Sequence, residues 1–96
     1  MTYELTENET KAALVLVGCC LENMGGDRPS DLEYDPYTWV YPEDLINAGW
    51  SRHEAAGTWN ALIQKAVVQK YDSDFVLVDP AWRYLDTVWD AKGGAA

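Results

Sequence analysis

Seven side chains between Arg52 and Lys70 have the chemistry to recognise another molecule: Arg52, His53, Thr58, Asn60, Gln64, Lys65 and Lys70. Arginine, asparagine and glutamine are the types that read guanine and adenine edges, and they are also ordinary residues for an exposed helical face. A second set is acidic. Asp31, Glu33 and Asp35 alternate along D-L-E-Y-D, and in an extended segment alternation would put all three carboxylates on one side. There they would hold a cation, imitate a run of phosphates, or simply be solvated as charged loops usually are. The stretch lacks the spaced ligands and mid-loop glycine of a calcium hand.

Other chemistry finds little to work with. A nucleophile–base pair needs a histidine, and His53, the only one, sits beside Glu54 at the start of a helix. Gly25-Gly26 and Gly93-Gly94 lack the flanking strand and the Lys-Ser/Thr of a phosphate loop. Cys19 and Cys20 are adjacent, so a disulfide between them would be strained, and with one histidine far along the chain no zinc ligand set forms. Both read as reduced, mostly buried small hydrophobes. The sequence therefore implies no catalytic residues, no metal and no cofactor.

The elements that must carry these residues follow from caps and periodicity. Ser51 and Glu54 make a capping box, and Ala55, Ala56, Trp59, Leu62, Ile63 and Ala66 recur behind it as an apolar stripe, predicting a helix over 51–65. Thr6 and Glu9 make a second box that opens a helix over 6–24, closed by Gly25-Gly26. That helix is apolar around more of its circumference than one stripe of about 100° requires, so it is either central to the fold or shared with a second subunit. Residues 27–36 read as a loop. Tyr37-Thr38-Trp39-Val40-Tyr41 is β-branched and aromatic and predicts a strand over 37–41. Pro42 then begins a short helix over 42–48, with Gly49 as a left-handed cap. Apolar runs at 67–71 and 75–79 around the polar turn Asp72-Ser73-Asp74 predict a hairpin. A last helix over 80–91 carries Trp82, Leu85, Val88 and Trp89. The expected core joins Trp59, Leu62 and Ile63 to Leu14, Val17, Leu21, Val76 and Trp82.

Ninety-six residues make one domain with a single core. Sixteen acidic groups against seven basic give a net charge of −9, which opposes non-specific binding to DNA or to an anionic membrane. The N-terminus has no basic or apolar leader, and the longest apolar run is about half the ~20 residues a membrane span needs, so a cytoplasmic protein with no membrane partner is expected. Charge is not uniform. Arg52, Lys65 and Lys70 outweigh Glu54 to leave +2 between Ser51 and Tyr71, so the rest of the chain carries −11.

The order helix, strand, short helix, long helix, strand, wing, strand, helix resembles winged helix-turn-helix domains, an α+β class that is mostly α. The residues carrying the resemblance are Leu62, Lys65, Val67 and Val68, preceded by the Ser51 cap and followed by the wing. The chain departs from that pattern at Ala66, where such domains commonly have glycine, which implies a less tight junction between helix and strand. It departs also in its acidity, because DNA-reading members usually carry a basic surface. Two functions fit the resemblance. One is a non-enzymatic protein that binds a partner protein, its acidic faces competing with nucleic acid for a basic surface, as small inhibitors encoded by phages and other mobile elements do. The alternative is a dimeric regulator that puts residues 51–65 into a major groove of double-stranded DNA. Both use Arg52, His53, Thr58, Asn60, Gln64, Lys65 and Lys70, while nucleic-acid mimicry would use Asp31, Glu33 and Asp35 instead. The apolar first helix and Trp82 and Trp89 of the last predict a homodimer through those two helices.

Overall fold

The computed structural model describes residues 3–34 and 38–92. The first helix, α1 (Glu7–Met24), begins as its cap dictates. The Glu9 amide donates to Thr6 Oγ1 at 3.1 Å, and the Thr6 amide donates to Glu9 Oε1 at 2.9 Å. It ends at Gly25, whose φ of 76° lies in the left-handed region, with the Gly26 amide donating to the Leu21 carbonyl. Between these points Thr10, Ala12, Ala13, Leu14, Leu16, Val17, Cys20 and Leu21 are all buried. Solvent reaches only a narrow stripe near Lys11, Val15, Gly18 and Glu22. Of the two readings of this helix, the structure takes the first: its apolar surface is covered within the chain, by elements that follow.

Residues 29–33, expected to lie in a loop, form a 3-10 helix, Pro29–Glu33, with Pro29 and Leu32 buried against α1 and the last helix. Prolines and charges disguise it in sequence. Next comes α2 (Pro42–Asn47), at whose start the Tyr41 amide donates to Asp44 Oδ2 at 2.9 Å. A turn through Ala48 and Gly49, the latter at φ 108°, leads into α3 (Arg52–Gln64). Ser51 and Glu54 form the predicted box, at 3.1 and 3.3 Å.

The chain leaves α3 through Ala66 at φ 61°. This overturns the expected looser junction. Ala66 adopts the left-handed conformation that glycine would take, and the Val67 amide closes back on the Leu62 carbonyl at 2.9 Å. Two antiparallel strands follow, β1 (Val68–Tyr71) and β2 (Asp74–Leu77). Tyr71 pairs with Asp74, so the connecting turn is the two residues Asp72 and Ser73 rather than three. Asp72, at φ 60°, is one of the few types that tolerate this backbone. The predicted strand over 37–41 is reduced to one bridge, Trp39 opposite Val76. The Val40 amide donates to the Phe75 carbonyl, and the Leu77 amide to that of Thr38. Tyr37 lies outside the described residues. The chain closes with α4 (Asp79–Val88), somewhat shorter than the 80–91 expected.

The result is a mostly helical α+β chain with a two-stranded sheet around one core. Trp59, Leu62, Leu14, Val17, Leu21 and Trp82 are buried in it as predicted, while Ile63 and Val76 are only half-buried. Phe75 meets Trp59 edge to face, with ring centroids 5.2 Å apart, and fastens the hairpin to α3.

The Ala66 backbone carries a Cβ clash costing about 1–2 kcal/mol, against the roughly 0.4–1 kcal/mol of extra unfolded-state freedom that glycine would bring. Ala66→Gly should therefore stabilise the protein by about 0.5–1 kcal/mol in urea melts. A comparable loss would show that the alanine methyl is needed at this junction.

Candidate functional site

On α3, the residues with recognition chemistry form a surface rather than a pocket. Arg52, His53, Asn60 and Gln64 are exposed, and Thr58 is half-buried. His53, Gly57, Asn60 and Gln64 follow one another at helical spacing along a single outward stripe. A Cβ placed at Gly57 would meet nothing within 4 Å, so the middle of the stripe is open. At 1.5 Å per residue, Arg52 and Gln64 stand roughly 18 Å apart, which suits a groove or a partner's surface and not the convergence a reaction needs. Among the described residues His53 has no hydrogen-bond partner. Lys70 is exposed on β1, opposite Phe75, and so lies on the hairpin face turned toward α3.

Lys65 is not part of this surface. Its ammonium donates to Glu9 Oε1 at 2.6 Å and to the Glu4 carbonyl at 2.9 Å, tying the end of α3 to the start of α1. Two other cations are engaged in the same way. Arg28 Nε donates to Asp86 Oδ1 at 2.9 Å, and its Nη2 reaches the Asp86 carbonyl, which fixes the 3-10 helix to α4. Burial pushes the Asp86 carboxyl up, but the Arg28 guanidinium and the Ser30 amide outweigh it and hold the group below its ordinary value. Arg83 pairs with Asp79 and, at 3.4 Å, with Glu33, while its guanidinium lies over the Trp82 ring, 4.4 Å from the centroid. Among the described residues, Lys11, Arg52, Lys70 and Lys92 have no such partner.

Of the predicted acidic patch, Asp31 and Glu33 are described, and they do not share one face. A 3-10 helix turns about 120° per residue, so the same-side argument, which needs an extended chain, does not apply. Asp31 Oδ2 turns back to accept from the Asp27 and Arg28 amides at 2.7 and 3.2 Å. Glu33 faces Arg83. Asp35 lies outside the described residues.

A second surface had no place in the sequence reading. Trp39, Tyr41 and Tyr71 are among the large hydrophobics left exposed, and they gather on the outer face of the hairpin. Trp39 and Tyr71 meet edge to face with centroids 6.4 Å apart. The Tyr41 hydroxyl donates to Asp74 Oδ1 at 3.2 Å. The signal was present: in T-W-V-Y the strand alternation sends Val40 inward, where it is fully buried, and Trp39 and Tyr41 outward.

Reactive groups are scarce elsewhere. Burial pushes the Cys20 thiol up to about 12 and raises Cys19 as well, so both stay protonated at neutral pH and neither is an activated nucleophile. No group of three His, Cys, Asp or Glu among the described residues is arranged to hold a metal ion. An open groove of about 540 Å³ runs along α4, lined by Asp79, Pro80, Arg83, Tyr84 and Thr87, but its arginine is already committed. No helix of the described residues is long and apolar enough to cross a membrane. No family model, curated protein or solved structure matches the chain.

The Lys65–Glu9 pair carries a pH signature. The Lys65 hydrogen bond, with the Thr6 amide second, holds the Glu9 carboxyl below its ordinary 4.5. A depressed folded-state value gives stability that is present in full above the ordinary value and lost as the pH falls through the lowered one. Lys65→Met should cost about 0.5–1 kcal/mol at neutral pH, and the gap from the unaltered protein should narrow as the pH falls below the ordinary value of 4.5. A gap constant with pH would assign the effect to the Glu4 carbonyl contact or to packing of the lysine stem.

Proposed function

We propose that this chain is a non-enzymatic docking protein of the winged-helix kind, which acts by occupying a basic surface on a partner protein that otherwise meets nucleic acid. The order of elements supports the winged-helix reading, with α2, the Gly49 turn and α3 as the helix-turn-helix and β1–β2 as the wing. The two backbone hydrogen bonds that join Thr38 and Val40 to β2 support the same reading.

The observation that favours a protein partner over DNA is the capture of Lys65 by Glu9. It leaves Arg52 and Lys70 as the cations available on the α3 and hairpin side. A typical DNA-binding protein neutralises about 6–10 phosphates, and two cations per chain, or four in a dimer, fall short of that range. Arg28, Lys65 and Arg83 are each paired with carboxylates of the same chain, and the net charge of −9 gives the molecule a negative outward field. Such a field steers the protein toward positively charged partners and away from polyanions. The covered α1 removes the main reason for a homodimer, and docking as a monomer suffices for this function.

Fluorescence anisotropy on a labelled random duplex at low salt tests the choice. No saturable binding is expected at tens of micromolar, roughly the range above which even non-specific DNA binders saturate. Binding that weakens steeply with added salt, and is lost in an Arg52→Glu, Lys70→Glu double variant, would instead support a DNA-reading regulator using α3.

A further inference from the structure

We propose that the outer face of the hairpin, built from Trp39, Tyr41 and Tyr71 with the carboxylate of Asp74, is a docking face for an arginine-bearing segment of a basic protein. The inference rests on the protein-docking reading but names a different face from that of α3, and so it can fail separately.

Three properties of the face select that occupant. The first is its aromatic character: Tyr71 is 61% exposed and Trp39 37%, and their edge-to-face contact holds both rings at the surface. Exposed tryptophan and tyrosine beside one another are the residues that carry most binding energy at protein interfaces. The second is charge. Asp74 accepts from the Tyr41 hydroxyl beside these rings, and Asp72 lies exposed in the adjoining turn. Among the described residues neither carboxylate has a cationic partner. A planar guanidinium can stack on a ring and still present its edge to a carboxylate, which a compact ammonium does less well.

The third is that the chain already performs this recognition on itself. Arg83 lies over the Trp82 ring and pairs at once with Asp79 and Glu33. The hairpin presents the same two components, ring and carboxylate, with the cation missing. With a net charge of −9 the rest of the molecule attracts a basic partner and repels an acidic one.

The test is a titration at low salt with a labelled, end-capped peptide that alternates arginine and serine, with lysine–serine and glutamate–serine counterparts. The arginine peptide should bind saturably, the lysine peptide more weakly, and the glutamate peptide not at all. Tyr71→Ala, at an exposed hairpin position, should lower affinity for the arginine peptide about tenfold, the scale of a desolvated cation–π contact. Asp74→Asn should weaken it more than Glu22→Gln, which removes the same charge from the solvent stripe of α1. The indole N–H resonance of Trp39 should move during the titration. Absence of saturable binding, equal effects of Asp74→Asn and Glu22→Gln, or an unmoved Trp39 resonance would overturn the proposal. So would self-association of the free chain that Tyr71→Ala abolishes, since that would give the face to a second copy. Failure here with no duplex binding leaves the docking function standing, whereas duplex binding sinks that function itself.

Discussion

The rest of the fold depends on the burial of α1. A helix that is apolar around most of its circumference cannot rest on one neighbour, because any side left open would expose side chains such as Leu16 and Val17 that are now fully buried. The chain meets this demand by surrounding it: α3 and α2 cover part of the circumference, and the 3-10 helix and α4 cover more. Small residues at Ala12, Ala13 and Cys20 let these neighbours approach closely, so the packing is tight without large side chains at every contact.

Surrounding one helix with short elements leaves their ends to be fixed, and the ion pairs do this. Arg28 joins the 3-10 helix to α4 through Asp86, and Lys65 joins the end of α3 to the cap of α1 through Glu9. Arg83 joins α4 to Glu33. Each tie uses one of only seven basic side chains. Individually such solvent-exposed pairs stabilise little. Their larger effect is on the surface: cations already paired with a carboxylate of the same chain offer less to a phosphate backbone, and the exterior keeps its acidity and an aromatic face on the hairpin.

What could be read in the sequence was local. Both capping boxes, the Ala55, Trp59 and Leu62 part of the α3 stripe and the hairpin depend on residues three to four apart or on a single alternating run, whereas Ala56 and Ala66, expected in the same stripe, are exposed. The capture of Lys65 was not legible, because Glu9 is 56 positions away and nothing near either residue marks the other. The 3-10 helix was hidden because Pro29 and Leu32 are lone apolar residues in a charged stretch, and their burial depends on α4 arriving from the far end of the chain. Ala66 shows a different gap: sequence habit assigns a left-handed position to glycine, while here the packing on both sides imposes that conformation on alanine. The aromatic face was legible in T-W-V-Y, but aromatic residues in a strand suggest a core, and only the bridge to Val76 assigns Trp39 to the outer side.

The hairpin side of this molecule, as proposed, meets protein and not nucleic acid. Site-specific photocrosslinking in the native cellular setting tests it most directly, with a photoreactive phenylalanine analogue in place of Tyr71 on the hairpin or of Asn60 on α3. Protein adducts are expected from position 71, with crosslinked peptides rich in arginine and no effect of nuclease treatment. Nuclease-sensitive adducts, formed from position 60 and not from 71, would contradict it.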